Sequence, residues 1–347
     1  MRFLAFILPI VLAMACSPTD QTEVTEEAQP DVVETADIAA GALPKEDALA
    51  AQDALVEGFW SGDVDGASFL SGMAAFATHP DPEVVIGSTR ELSFIYDEFP
   101  DLRRGLARHV TRTYGRVYRA ARASDTEDAK QISAGLGNIM AREGNDQEVR
   151  NYLIRQGSLY LQLDPTREDL KPTVPLHLLE SGFIETMRAR PEVSMEPLVE
   201  LLFTGTPLES EAAVQALVAA PNSEQVTRLK GIIRSNETSL LSPQIVRLNF
   251  AMLKNPATWD DIWYGFEEVT DINDHISDVN QRLETIKNRF SRVCSSDQYE
   301  EAVTFYRAFE KGNDEFQGNL TAVLDMIQDC VRFKETQGPS LTAALTQ

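Results

Sequence analysis

The sequence predicts an all-α protein, an α-solenoid of antiparallel helix pairs of the HEAT or armadillo kind, curved into a bowl. Apolar residues recur at helical spacing from Leu43 onward. Breaks fall about every 15 to 20 residues and carry Pro beside Asp, Asn, Ser or Thr. No segment alternates apolar and polar residues for long, and no Asn-Gly or Asp-Gly pair sits between β-branched runs, so strands have no signature. Ala and Leu dominate an apolar set of 43%, and aromatics make up 8%, which also favours helices. Many short helices without a strong closure point read as a stack, with a globular bundle as the alternative.

Residues 1–15 read as a signal peptide: Arg2, then an apolar run from Phe3 to Met14, then Ala13-Met14-Ala15 before Cys16. The run is too short to span a bilayer. Small residues before a cysteine are the pattern of a bacterial lipoprotein, whose Cys16 thiol takes the lipid. An ordinary secretory signal with an incidental Cys16 is the alternative. Ser17 after the cysteine points to the periplasmic face of the outer membrane. Residues 16–42 read as a tether. From Ser17 to Gly41 the chain has seven acids, no Lys or Arg and no aromatic residue, so it buries too little to offset ordering entropy.

Residues 43–347 carry the helices. Asp63 is placed to cap one through Phe69, Leu70, Met73 and Phe76, which ends at His79-Pro80-Asp81-Pro82. A helix then runs through Val84, Val85 and Leu92 to about Tyr96, and Phe99-Pro100-Asp101 breaks it. Another spans Leu102 to Ala123, with Ser124-Asp125 capping the next. Asn145-Asp146 opens a helix through Val149, Tyr152, Leu153 and Ile154, and Leu163-Asp164-Pro165-Thr166 closes it. Later breaks are expected at Pro172 to Pro175, Arg190-Pro191, Thr206-Pro207, Pro221-Asn222, Ser242-Pro243 and Asn255-Pro256, with Pro where it can begin a helix. Lys311-Gly312-Asn313-Asp314 reads as a turn. Arg332 and Lys334 are expected in the last turns of the final helix, where they complement its dipole.

The net charge of -23 and the pI near 4.5 repel phosphate backbones and anionic lipid surfaces, so nucleic acid is not an expected partner. With Cys16 lipidated, Cys294 and Cys330 remain as an even pair in an oxidising compartment. A bridge between them would contribute roughly 4 kcal/mol on the chain-entropy model, and two buried free thiols are the alternative.

Four stretches carry a resemblance. The first is Leu43-Pro-Lys-Glu-Asp through Leu55, with Gly62-Asp63-Val64 and Thr78-His79-Pro80-Asp81-Pro82. The second is Leu201-Leu202-Phe203-Thr204-Gly205-Thr206 with the run Ala212 to Ala220. The third is Leu253-Lys254-Asn255-Pro256 with Trp259 and Trp263. The fourth is Phe290 to Cys294, Tyr299 to Tyr306 and Ile327 to Cys330. In order and spacing, residues 43–347 resemble the helical C-terminal domain of the zinc aminopeptidases of the aminopeptidase N family, which includes the endoplasmic reticulum aminopeptidases. The resemblance implies a bowl of HEAT-like helix pairs, which in the family closes over the active site and helps hold the far end of a peptide. The family's catalytic half, with its H-E-x-x-H, has no counterpart in this sequence.

His79, His109, His177 and His275 are far apart and none is followed by Glu, so no helix presents two zinc ligands at i, i+4. G-x-S-x-G, P-loop and G-x-G-x-x-G patterns do not occur. The expectation is therefore no catalysis, no metal and no cofactor. The one feature that stands out is a helix bearing Arg104, Arg108, Arg112, Arg116 and Arg119 within an arc of about 120°, opposite Leu106, Val110, Tyr114 and Val117. Either a neighbouring helix answers it with acids such as Asp125, Glu127 and Asp128, or it captures a peptide C-terminus or an acidic partner. Trp259 and Trp263 share a helical face and are expected in the core. The expected protein is a lipid-anchored binding module of the bacterial envelope that holds a peptide or protein. One candidate partner is a separately encoded metallopeptidase, to whose aminopeptidase activity the chain would contribute; a residual hydrolase and a structural envelope lipoprotein are the rival readings.

Overall fold

The computed structural model describes residues 43–163, 174–235, 247–248, 251–252, 255–258, 293–309 and 314–346. The expected signal peptide, Cys16, the tether, Pro172, the Ser242-Pro243 break, Trp259, Trp263 and His275 lie outside them, as do parts of the turns at 163–166 and 311–314. By its contacts the chain divides into Met1–Asp37 and Ile38–Gln347, and every described residue belongs to the second unit.

The described residues are helical and contain no strand. The helices are α1 (Lys45–Ser61), α2 (Gly66–Ala75), α3 (Pro82–Gly87), α4 (Leu92–Glu98), α5 (Arg103–Arg122), α6 (Glu127–Ala141) and α7 (Gln147–Tyr160). They continue with α8 (Leu179–Ala189), α9 (Pro191–Thr204), α10 (Pro207–Val218), α11 (Ser223–Ser235), α12 (Ser296–Phe309) and α13 (Asp314–Leu345). Pro begins α3, α9 and α10, as its missing N–H and fixed φ favour. None of the described helices is long and apolar enough to cross a membrane.

Four sequence expectations are corrected. The helix expected from Val84 to Tyr96 is two, α3 and α4, separated by Glu91 at φ 65. Ser88 and Thr89 turn their hydroxyls back onto Val85 O at 2.6 Å and Ile86 O at 2.7 Å, which competes with helix propagation. The cap of α2 is Asp65, not Asp63. The end of α1 folds over Gly62 (φ 89), and the N–H of Val64 donates to Gly58 O, so the chain is not free to start a helix until Gly66. Likewise α6 is capped by Thr126. Ser124 N–H still donates to Ala121 O, which uses up the expected cap. Arg332 and Lys334 do not end α13, which continues to Leu345. Lys334 instead reaches Glu98 at 2.8 Å and Arg332 reaches Asp329 at 3.3 Å.

Neighbours in sequence are neighbours in space from α5 to α10, each helix packing on the next. One core lies under α1 to α7 and takes in the last turns of α13. In it Phe59 stacks on Phe69 at 4.1 Å and meets Phe333 edge-on at 4.9 Å. A second core joins α8 to α11 around Phe183, Leu198, Leu202, Ala213 and Leu217. The last helix returns to the first: α13 packs against α1, α2 and α5. Gln337 Nε2 donates to Phe59 O and Val64 O at 2.9 and 3.0 Å, and the N–H of Gly66 donates to Ser340 Oγ at 2.8 Å. Cys294 and Cys330 are joined as a disulfide, their Cα atoms 5.1 Å apart, which ties residues 293–295 to α13.

Candidate functional site: the arginine face of α5

α5 has no acid anywhere along it and two arginines, Arg103 and Arg104, in its first turn. Cations at the positive end of a helix dipole weaken an isolated helix. Burial compensates: Leu106, Val110, Tyr114 and Tyr118 are each at most 1% exposed. Tyr114 is fixed further, its hydroxyl donating to Ser88 O at 2.7 Å. Burial pushes its phenol up to about 12.

With that face inward, Arg104, Arg108, Arg112, Arg116 and Arg119 all point out and all are exposed. None of the five forms an ion pair among the described residues. Asp125 and Asp128 do not reach them, and Glu127 pairs with Lys130 at 3.4 Å instead. The outer arginines of the helix are used differently. Arg103 lies over the Tyr96 ring at 4.6 Å, and Arg122 over Tyr152 at 4.0 Å with Glu148 at 3.9 Å. Within the stripe, Arg108 Nη2 donates to Leu345 O at 2.9 Å. That contact satisfies a last-turn carbonyl of α13, a helix with no basic residue in its own last turn.

Arg104, Arg108 and Arg112 border a surface depression of about 480 Å³, closed on its far side by Gly144 and Asn145 of the α6–α7 turn. Thr111 Oγ1 donates to Gly144 O at 3.2 Å and pins that turn to α5. Like charges at i, i+4 each cost a few tenths of a kcal/mol. The stripe holds three such pairs, and an anion laid along it relieves them. His109 is half-buried beside Arg112. Burial first, and the Arg112 charge second, press its imidazole down to about 4. What the face offers chemically is a row of charge-assisted donors for carboxylates.

The sequence reading missed a second charged group. Arg142 meets Asp97 and Glu143, and Arg150 and Arg188 both meet Glu185. Glu143 and Glu185 are 1% and 2% exposed. Burial pushes the Glu143 carboxyl up, against the pull of Arg142. These residues are scattered from Asp97 to Arg188, and the Glu185–Arg188 i, i+3 spacing is the local signal that marks them. Among the described residues no three His, Cys, Asp or Glu side chains are grouped to hold a metal.

No protein-family model matches the chain, and no curated protein matches it either.

Proposed function

We propose that the chain is a non-catalytic binding protein of the bacterial cell envelope, anchored by a lipid on Cys16, and that the arginine face of α5 docks an acidic segment of a peptide or protein partner. The observation that carries this reading is the exposed row of arginines, with no carboxylate partner among the described residues, in a chain of net charge -23. Acids are abundant in the chain, yet among the described residues none pairs with Arg104, Arg108, Arg112, Arg116 or Arg119. The sequential packing from α5 to α10 supports a stack of antiparallel helix pairs behind that face. The resemblance to the aminopeptidase C-terminal domain names a peptide, or a separately encoded metallopeptidase, as the partner to look for.

The test is a comparison of envelope proteins retained by the native chain and by Arg112→Glu plus Arg116→Glu. These two positions are exposed and leave the Arg108–Leu345 contact alone. A partner with an acidic segment, retained by the native chain and lost by the variant, is the expected result. Identical partners with both would remove α5 from binding. One zinc per chain together with peptide cleavage would overturn the non-catalytic reading.

A further inference from the structure

A cavity of about 530 Å³ opens between the α6–α7 turn, α8 and the end of α10, a size typical of small-molecule sites. Its walls differ. One carries Arg142, Arg150 and Arg188. Each guanidinium is held by a carboxylate that solvent barely reaches: side chains of Glu143 and Glu185 are 1% and 2% exposed, against 20% to 29% for the arginines. Asp97 and Ala141 O complete the hold, accepting from Arg142 Nη2 and Arg150 Nη2. The arginine heads are therefore locked before any ligand arrives, which lowers the entropy lost on binding. The pairing leaves Arg150 Nη1 and Arg188 Nε and Nη2 without an acceptor among the described residues.

The opposite wall is small and apolar, built from Val218 to Pro221 and Ala257. It lies at the C-terminal end of α10, where free carbonyls would repel an anion. Asn255 Nδ2 takes two of them, Val218 O at 2.7 Å and Ala220 O at 3.1 Å. A ligand that satisfies both walls has an anionic head at one end and a compact apolar body at the other. The three guanidiniums are matched by Asp97, Glu143 and Glu185, so the wall has donors to spare but little net charge. That balance suits a monoanion rather than a dianion.

We propose that this cavity binds a small organic acid, its carboxylate on Arg150 and Arg188 and its short aliphatic or aromatic body against Ala219, Ala220 and Pro221. The site shares no residue with the α5 face and stands independently of the docking proposed there.

The experiment is calorimetric titration of the full chain with hexanoate and benzoate, beside acetate, hexanol and hexylammonium. Hexanoate or benzoate is expected to bind at least tenfold more tightly than the three controls, which lack either the body or the anion. Ala219→Leu fills the apolar wall without touching a charge and is expected to abolish that binding. Arg188→Gln, which leaves Glu185 paired to Arg150, is expected to weaken it at least tenfold. Should Arg188→Gln fail to fold, Ala219→Leu decides. Absence of binding by both acids, hexanol binding as well as hexanoate, or unchanged binding in Ala219→Leu would overturn the proposal.

Discussion

At the scale of single residues, the contact of α5 with the end of α13 explains a glycine. A Cβ on Gly105 would lie 2.1 Å from Leu345 O, a distance no packed pair tolerates, so only Gly lets α5 touch the end of α13. Gly105→Ala is expected to lower stability by about 2 kcal/mol or more in urea unfolding, as overpacking against backbone does. His109 sets a pH dependence. Its imidazole titrates near 4 in the fold and near 6.5 in the unfolded chain, so the unfolded chain binds the proton first. Stability from this residue is present above pH 6.5 and is lost as pH falls from 6.5 towards 4, up to about 3 kcal/mol. In His109→Gln the curve of stability against pH should be flatter than the native curve over that interval. If the two curves run parallel, the histidine is not held neutral. The outward turn of the five arginines was legible in sequence, because a 3.6-residue period fixes which side chains share a face. Their lack of ion pairs among the described residues was not, because it depends on how α6 is rotated against α5, which no local spacing records. The Arg142, Arg150 and Arg188 group was illegible for a similar reason: it is assembled by the packing of the end of α6, α7 and α8.

At the scale of elements, composition and breaks sufficed for the helical class and for most boundaries. Two of the misses share one cause. A helix end consumes residues beyond its last turn, so the next cap comes later than the first polar residue suggests, at Asp65 rather than Asp63 and at Thr126 rather than Ser124. Where Pro fixes the start, the reading was accurate. α10 begins at Pro207 behind Thr206, whose hydroxyl accepts from Glu209 N–H while the Glu209 carboxylate accepts from Thr206 N–H. Thr206→Ala is expected to cost about 1 kcal/mol, measurable by chemical unfolding, since it breaks one arm of this capping box. The Cys294–Cys330 bridge is a second elemental tie. It anchors residues 293–295 to the helix that returns to α1 and α2. Replacing both cysteines with Ala is expected to cost about 2 to 4 kcal/mol, and reductant should lower the melting temperature of the native chain but not of the variant.

At the scale of the whole molecule, charge is distributed against the average. A chain of net charge -23 concentrates five exposed arginines on one face of one helix. The docking proposed for this face is therefore expected to be localised and sensitive to salt. The return of α13 gives Arg108 a structural role, and among the described residues no such contact is made by the other four arginines. This separation lets docking be tested apart from folding. The most direct measurement is fluorescence anisotropy of a labelled oligoglutamate peptide titrated with the native chain and with Arg112→Glu plus Arg116→Glu. Melting temperatures of both proteins are recorded alongside. The account predicts saturable binding that weakens steeply with added salt, a loss of at least tenfold in the variant, and little change in melting temperature. Equal affinity in the two proteins, or a variant that binds normally but melts much lower, would contradict it and return the stripe to the interior economy of the fold.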